Sequence, residues 1–294
     1  MSSASTYPPD YVPEQHAPDP VLSHGDPTPP GKVGIWLFLA SEIMFFIGIL
    51  GSYIVIRSGW PMLFEQQGKA LNKVLAGINT LVLIFSSLTM ALAVDAARKG
   101  DRKRLITCLA ITFACAATFM GIKYVEYTDK FHHYTMVVTV KPAGDEDAKP
   151  VSYLYDGHWD RTKNEVKGVR MELDKNVPVD IGFTGKAWIE ERMKAEGKLG
   201  TGEKLEEKVH PIPKGATIVQ ATAYGPWKNL FLASYFASTG VHGLHVIGGM
   251  IPLAILTIQA IRRKIFPRHT EYVGIYWHFV DLVWIFLFPL LYLI

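Results

Sequence analysis

Asn229-Leu-Phe-Leu-Ala-Ser-Tyr-Phe-Ala-Ser-Thr-Gly-Val-His242-Gly-Leu-His245-Val-Ile-Gly-Gly-Met-Ile-Pro-Leu-Ala-Ile-Leu-Thr-Ile-Gln-Ala-Ile261 is apolar over almost its whole length. A helix rising ~1.5 Å per residue needs roughly 20 such residues to cross a ~30 Å hydrocarbon core. Four more runs are near or above that length: Val33 to Ile56, Val74 to Ala97, Leu105 to Ile122 and Val273 to Ile294. In lipid the backbone polar groups of such runs are satisfied only in a helix or a closed barrel, and these runs lack the alternation of barrel strands. The sequence therefore reads as an all-α membrane protein of five transmembrane helices, which accounts for a mean hydropathy of +0.16 in a chain that also holds a long charged stretch.

Basic residues orient the helices. Arg98, Lys99, Arg102, Lys103 and Arg104 fill the second connection, and Arg262, Arg263, Lys264 and Arg268 fill the fourth. The positive-inside rule puts both in the cytoplasm. The amino terminus is then cytoplasmic, while the carboxyl terminus and the long third connection lie outside. A net charge of +3 among 294 residues is too small to point to nucleic acid. The first apolar run is too long for the h-region of a cleaved signal, so helix one reads as a retained span. Cys108 and Cys115, seven apart on one helix, are too distant for a disulfide and read as inert buried thiols.

Four regions follow. Residues 1–31 carry eight prolines and few aliphatic side chains, the composition of a mobile cytoplasmic arm. Residues 32–127 hold helices one to three, and 227–294 hold helices four and five. Between them, 128–226 interrupts the pattern with 15 Lys and Arg against 16 Asp and Glu. Tyr134 to Val140 has strand character, Val151 to Tyr155 less so, and Lys186 to Glu196 reads as a short helix stopped by Gly197. The Thr-Ile-Val run after Pro213 suggests an extended return toward the membrane. This is a small, partly ordered α+β extramembrane insertion.

Polar residues within apolar runs are the candidate functional positions, because each disfavours insertion by roughly 2.5 to 3.5 kcal/mol if charged at the bilayer centre. Glu42, ~14 Å along the axis from Val33, is near mid-membrane, where a lone carboxyl is expected to be neutral. It is either a proton-handling or assembly carboxyl, or an acid neutralised in packing. Ser41, Gly48 and Ser52 share a side that lets a neighbouring helix approach. His242 and His245 share a face and offer two nitrogens, fewer than a metal site needs, so bonds to adjacent helices or a lipid headgroup are favoured. His278 and Asp281, counted from Val273, fall in the first turns of helix five near the cytoplasmic surface; the carboxylate either stabilises the imidazolium or fixes its tautomer, or the two pair at the interface within reach of headgroups, which is the favoured reading. Glu126 falls at the outer interface with Lys123, an exposed pair contributing about 0 to 1 kcal/mol. His132, His133, His158 and His210 are scattered among acidic residues of the insertion without a metal-binding pattern. No catalytic set and no metal set is read in the sequence.

Thr239-Gly-Val-His242-Gly-Leu-His245-Val followed by Trp277-His278-Phe-Val-Asp281-Leu-Val-Trp284 resembles subunit III of the haem-copper cytochrome c oxidases. The likeness extends to Ser41-Glu42 followed by aromatics, similar to the family's carbodiimide-reactive glutamate, and to Glu126-Tyr127, similar to its Glu-aromatic pair. The resemblance implies a helical bundle packed against oxidase subunits I and II in a bacterial inner membrane, in the five-span form. It also implies that haem and copper reside in partner subunits, that this chain holds phospholipid, and that it supports proton uptake and guards the oxidase against turnover inactivation. The family's lipid-associated arginine falls near Gln259, with Arg262 about a turn later. The third subunit of a quinol oxidase and the accessory protein of a nitric oxide reductase share the pattern, and a proton-coupled transporter would also use Glu42. The insertion is outside that pattern; its place is on neighbouring subunits, cytochrome c or another respiratory complex.

Overall fold

The computed structural model describes residues 30–293 apart from 70, 142–148, 174–178, 183, 201–202, 204 and 214. The proposed arm at 1–31 therefore lies almost wholly outside the described residues.

Seven α-helices and five strands follow in the order α1 (Pro30–Gly59), α2 (Pro61–Lys69), α3 (Lys73–Lys99), α4 (Arg102–His132), β1 (His133–Val140), β2 (Val151–Asp160), β3 (Glu165–Leu173), α5 (Lys186–Ala195), β4 (Lys208–Pro211), β5 (Thr217–Ala223), α6 (Leu230–Ile261) and α7 (Pro267–Phe288). Proline opens α1, α2 and α7, where its missing N–H costs no intrahelical bond. Five helices (α1, α3, α4, α6, α7) are long and apolar enough to span a membrane, as the sequence predicts. The fold is that of an all-α membrane protein carrying an α+β insertion.

The chain divides into two compact units. The first holds the described residues up to Ser52 together with Lys73–Ile122 and Ser238–Leu293. Within it α3 turns into α4 through Gly100, at φ 72°, and Asp101, whose Oδ1 accepts the Arg104 N–H at 3.2 Å as a helix N-cap. The basic residues gather with this turn: Glu271 meets Arg98 at 3.0 Å and Lys32 at 3.8 Å, and Arg102 donates to the carbonyls of Ala260 and Ile261. Gly274 of α7 lies so close to α3 that a Cβ there would meet Val94 at 2.9 Å. By contrast, among the described residues no helix packs closely on Ser41, Gly48 and Ser52. A Cβ on Gly48 would meet nothing within 4 Å, and both serines are exposed and bond back to their own helix, at Phe38 O and Gly48 O.

The second unit, Tyr53–Asn72 with Lys123–Ala237, is built on an antiparallel sheet in the order β4-β3-β2-β1-β5. Alternation sorts its two faces. Met136, Val138, Tyr155 and Val166 pack together on one, and Leu154, Val169, Met171 and Leu173 on the other, where Ile189 of α5 covers them. The strand expected at Val151 to Tyr155 runs on to Asp160, and β3 supplies its other neighbour, from Ser152↔Leu173 to Asp160↔Glu165. The strands that enter and leave the sheet pair with each other, β1 against β5, from Tyr134↔Ala223 to Thr139↔Thr217.

Candidate functional site

Glu42 and His245 meet in the first unit. Glu42 Oε2 is 2.9 Å from His245 Nε2, and His245 Nδ1 is 2.8 Å from the Val241 carbonyl. A carbonyl only accepts, so Nδ1 carries a hydrogen. Nε2 then either accepts the proton of a neutral Glu42 or, protonated, donates to its carboxylate. Either way one proton lies between the two groups and the pair is neutral overall, which suits a helix in lipid. Tyr276 of α7 donates to the His245 carbonyl at 3.0 Å, and Phe46 of α1 presents its ring to the imidazole at 5.0 Å, so the two contacts tie α6 to α7 and to α1. His242 does not join this pair; it is fully buried between Phe119 and Trp284.

His278 and Asp281 do not form the interfacial pair expected of them. The helix starts at Pro267, six residues before the apolar run, because Arg268 and Glu271 lower the hydropathy of its first turns without ending the backbone ladder. Asp281 is 3% exposed, with Ser86 Oγ at 3.5 Å from Oδ2, and the Trp277 indole N–H donates to the same hydroxyl at 3.1 Å. His278 instead faces Ser87, with Nδ1 2.7 Å from its hydroxyl. Trp277 and Trp284 are packed in the core, both 0% exposed. A cavity of about 400 Å³ opens beside Ser87, His278 and Asp281.

Glu126 is likewise not an exposed anchor. Since α4 continues to His132, Glu126 has a turn and a half of helix beyond it; it is 9% exposed, receives Lys123 Nζ at 2.8 Å and accepts the Tyr235 hydroxyl at 2.8 Å. Arg262, one residue past α6, is exposed, and its backbone N–H closes the last turn on Ile258.

A second polar centre, unanticipated from the sequence, lies in the insertion. Asp156 of β2, 2% exposed, accepts from Thr135 at 2.6 Å, the Lys186 backbone N–H at 2.8 Å, His133 at 3.1 Å and Tyr224 at 3.1 Å. Lys228 Nζ donates to Thr135 at 2.6 Å and to the Thr184 carbonyl at 3.1 Å. Burial alone would raise the Asp156 carboxyl, but the His133 bond and the Lys228 charge hold it below the usual carboxylate range. Burial pulls Lys228 down to about 8 against the opposing pull of Asp156. The partners of Asp156 come from positions 21 to 72 residues away in the chain: the sheet register brings in His133 and Thr135, and the start of α5 and the segment after β5 bring in the rest. His158, scattered in the sequence, here stands 5.2 Å from His133 and bonds Asp129 at 2.9 Å. Among the described residues no three His, Cys, Asp or Glu side chains are grouped to hold a metal ion.

The family described as cytochrome c oxidase subunit III matches residues 28–139 and 219–294, well over half of the chain. The chain belongs to the cytochrome c oxidase subunit III family. A probable cytochrome c oxidase subunit 3 of Nocardia farcinica is 27% identical over 270 residues, covering 90% of this chain and 87% of that protein. One of Mycobacterium leprae is 28% identical over the same shares. The cytochrome bo(3) ubiquinol oxidase subunit 3 of Pseudomonas aeruginosa is 24% identical over 269 residues, 88% of this chain and 83% of its own. Glu42, Glu126, His242, His245, His278 and Asp281 all lie in the matched segments, whereas Asp156 lies in the unmatched residues 140–218. The match stops within β1 and resumes within β5, so the two strands that pair at the neck of the insertion belong in large part to the shared pattern.

Proposed function

We propose that this subunit III has no active site of its own and supports a proton-translocating haem-copper oxidase that passes electrons from cytochrome c to oxygen. The observation that carries the reading is the hydrogen bond between Glu42 and His245, which joins two membrane-spanning helices. A carboxyl and an imidazole that share a proton can exchange it without leaving a net charge in lipid, which is what a proton-uptake role requires. Haem and copper belong to the partner subunits I and II, against which the exposed apolar face of α1 is free to pack. Ser41 and Arg262, both exposed, serve as subunit or phospholipid contacts; His242, His278, Asp281 and Glu126 hold the bundle together. The shared cluster of Lys32, Arg98, Arg102 and Glu271 supports a cytoplasmic amino terminus, with the carboxyl terminus and 128–226 on the periplasmic side of a bacterial inner membrane. The family description and the Nocardia and Mycobacterium relatives favour cytochrome c over quinol as donor.

The test is removal of the chain from the purified oxidase. The haem spectrum should stay unchanged while activity decays several-fold faster during turnover. A transition metal bound one per chain and lost in His242→Ala, or an unchanged active lifetime, would refute the reading.

A further inference from the structure

The second unit holds a cavity of about 610 Å³, a size suited to a small organic molecule. Its walls come from the connection after α1, the end of α4, the start of α6, the sheet and α5. Two of its polar groups have no hydrogen-bond partner among the described residues. Gln67, 6% exposed, lines the cavity, and no described residue hydrogen-bonds its side chain. Without a protein partner among the described residues, that amide is left to bond whatever occupies the cavity, ligand or solvent. Lys130 also lines the cavity; its Nζ stands 5.2 Å from the centroid of the Tyr235 ring and has no hydrogen-bond or ion-pair acceptor among the described residues.

The other charges are largely committed. Lys69 is held by Glu65 at 2.6 Å, Lys186 by Glu207 at 2.8 Å, Asp129 by His158 at 2.9 Å, and Asp156 by its four donors. Glu190 is half committed: Oε1 accepts the Leu205 N–H at 3.1 Å and Oε2 has no partner among the described residues. The wall thus offers donors at Gln67 and Lys130 and an acceptor at Glu190. Its formal charge, three lysines against four carboxylates, disfavours a bare anion.

We propose that this cavity binds a zwitterion, its oxyanion received by Lys130 and Gln67 and its ammonium by Glu190. Free amino-phosphate compounds and the headgroup of a zwitterionic phospholipid share that chemistry.

The test uses the delipidated oxidase complex titrated with phosphoethanolamine, read as protection of the α2 and α5 amides from hydrogen exchange. Phosphoethanolamine should protect both helices. Gln67→Leu and Glu190→Gln should each weaken the effect about tenfold or more, the range of one hydrogen bond to a charged group. Inorganic phosphate and ethanolamine, given separately, should each bind at least tenfold more weakly. A parallel arm places the complex in nanodiscs of phosphatidylglycerol with or without phosphatidylethanolamine. Protection there but not with the soluble compound makes the membrane the source and upholds the zwitterion. Phosphate acting as well as phosphoethanolamine, or no protection in either arm, overturns it. Gln67→Glu is a second variant in case the leucine fails to fold: it keeps the side chain's size and repels the oxyanion.

Discussion

Glu42 and His245 are 203 positions apart, and their shared proton makes each variant's outcome specific. Glu42→Gln keeps a donor for His245 Nε2, so the oxidase should assemble at wild-type yield while labelling by a hydrophobic carbodiimide, which needs the carboxylic acid, disappears; mass spectrometry of the labelled chain checks both. Persistent labelling would move the reactive carboxyl elsewhere. In the insertion the sign of the pH dependence follows from the two buried charges. Asp156 is depressed in the fold, so its contribution is complete above about pH 4, the unfolded carboxylate value, and is lost as pH falls through the lower folded value. Lys228, at about 8 against an ordinary 10.5, is penalised while charged. That penalty, on the order of 3 kcal/mol at about 1.4 kcal/mol per pH unit, is lifted as pH rises from about 8 to 10.5. Urea unfolding of the insertion, followed by tyrosine fluorescence, should show stability dropping below pH 4 and rising above pH 8. Lys228→Met should remove the upper rise and leave the acid limb. Glu42 and the histidines stand out in the sequence as polar residues in apolar runs. Which faces which does not, because pairing depends on how distant helices are set against each other; the same is true of Asp156, one acid among sixteen in its region.

At the scale of elements, the five spans are legible because their hydropathy persists over whole helix lengths, and their ends are not. Lys123 and Glu126 in α4, and Arg268 and Glu271 in α7, lower the hydropathy while the backbone ladder continues, so His278 and Asp281 lie further along their helix than a count from Val273 gives. Within the insertion β1 and α5 are legible from their β-branched run and glycine stop. β3 is not legible because its alternation falters at Gly168, where the chain faces Gly157 so closely that a Cβ on either would come within 2.6 Å of the other's Cα. The helix-packing counterpart is Gly274. Gly274→Leu should force α3 and α7 apart at a cost of about 1 to 3 kcal/mol and lower the thermal-aggregation temperature of the purified complex. Gly51→Ala, where nothing lies within 4 Å, should leave that temperature unchanged.

For the whole molecule, a periplasmic insertion should be cut by protease in spheroplasts and shielded in inverted vesicles. The opposite pattern would reverse the orientation read from Arg98 to Arg104. Its 15 basic against 16 acidic residues make a poor electrostatic landing patch for a basic cytochrome, so a contact with neighbouring subunits is the expected role. Replacing residues 141–216 by a short Gly/Ser link should then reduce recovery of a neighbouring subunit and leave the salt dependence of cytochrome oxidation unchanged. β1 and β5 give that deletion a structural basis. Because the strand arriving from α4 is laddered to the strand departing for α6, the chain enters and leaves the rest of the sheet at neighbouring points. The chain between those points can be lengthened or shortened while its two ends stay side by side, and an experimenter can splice a fluorescent reporter there.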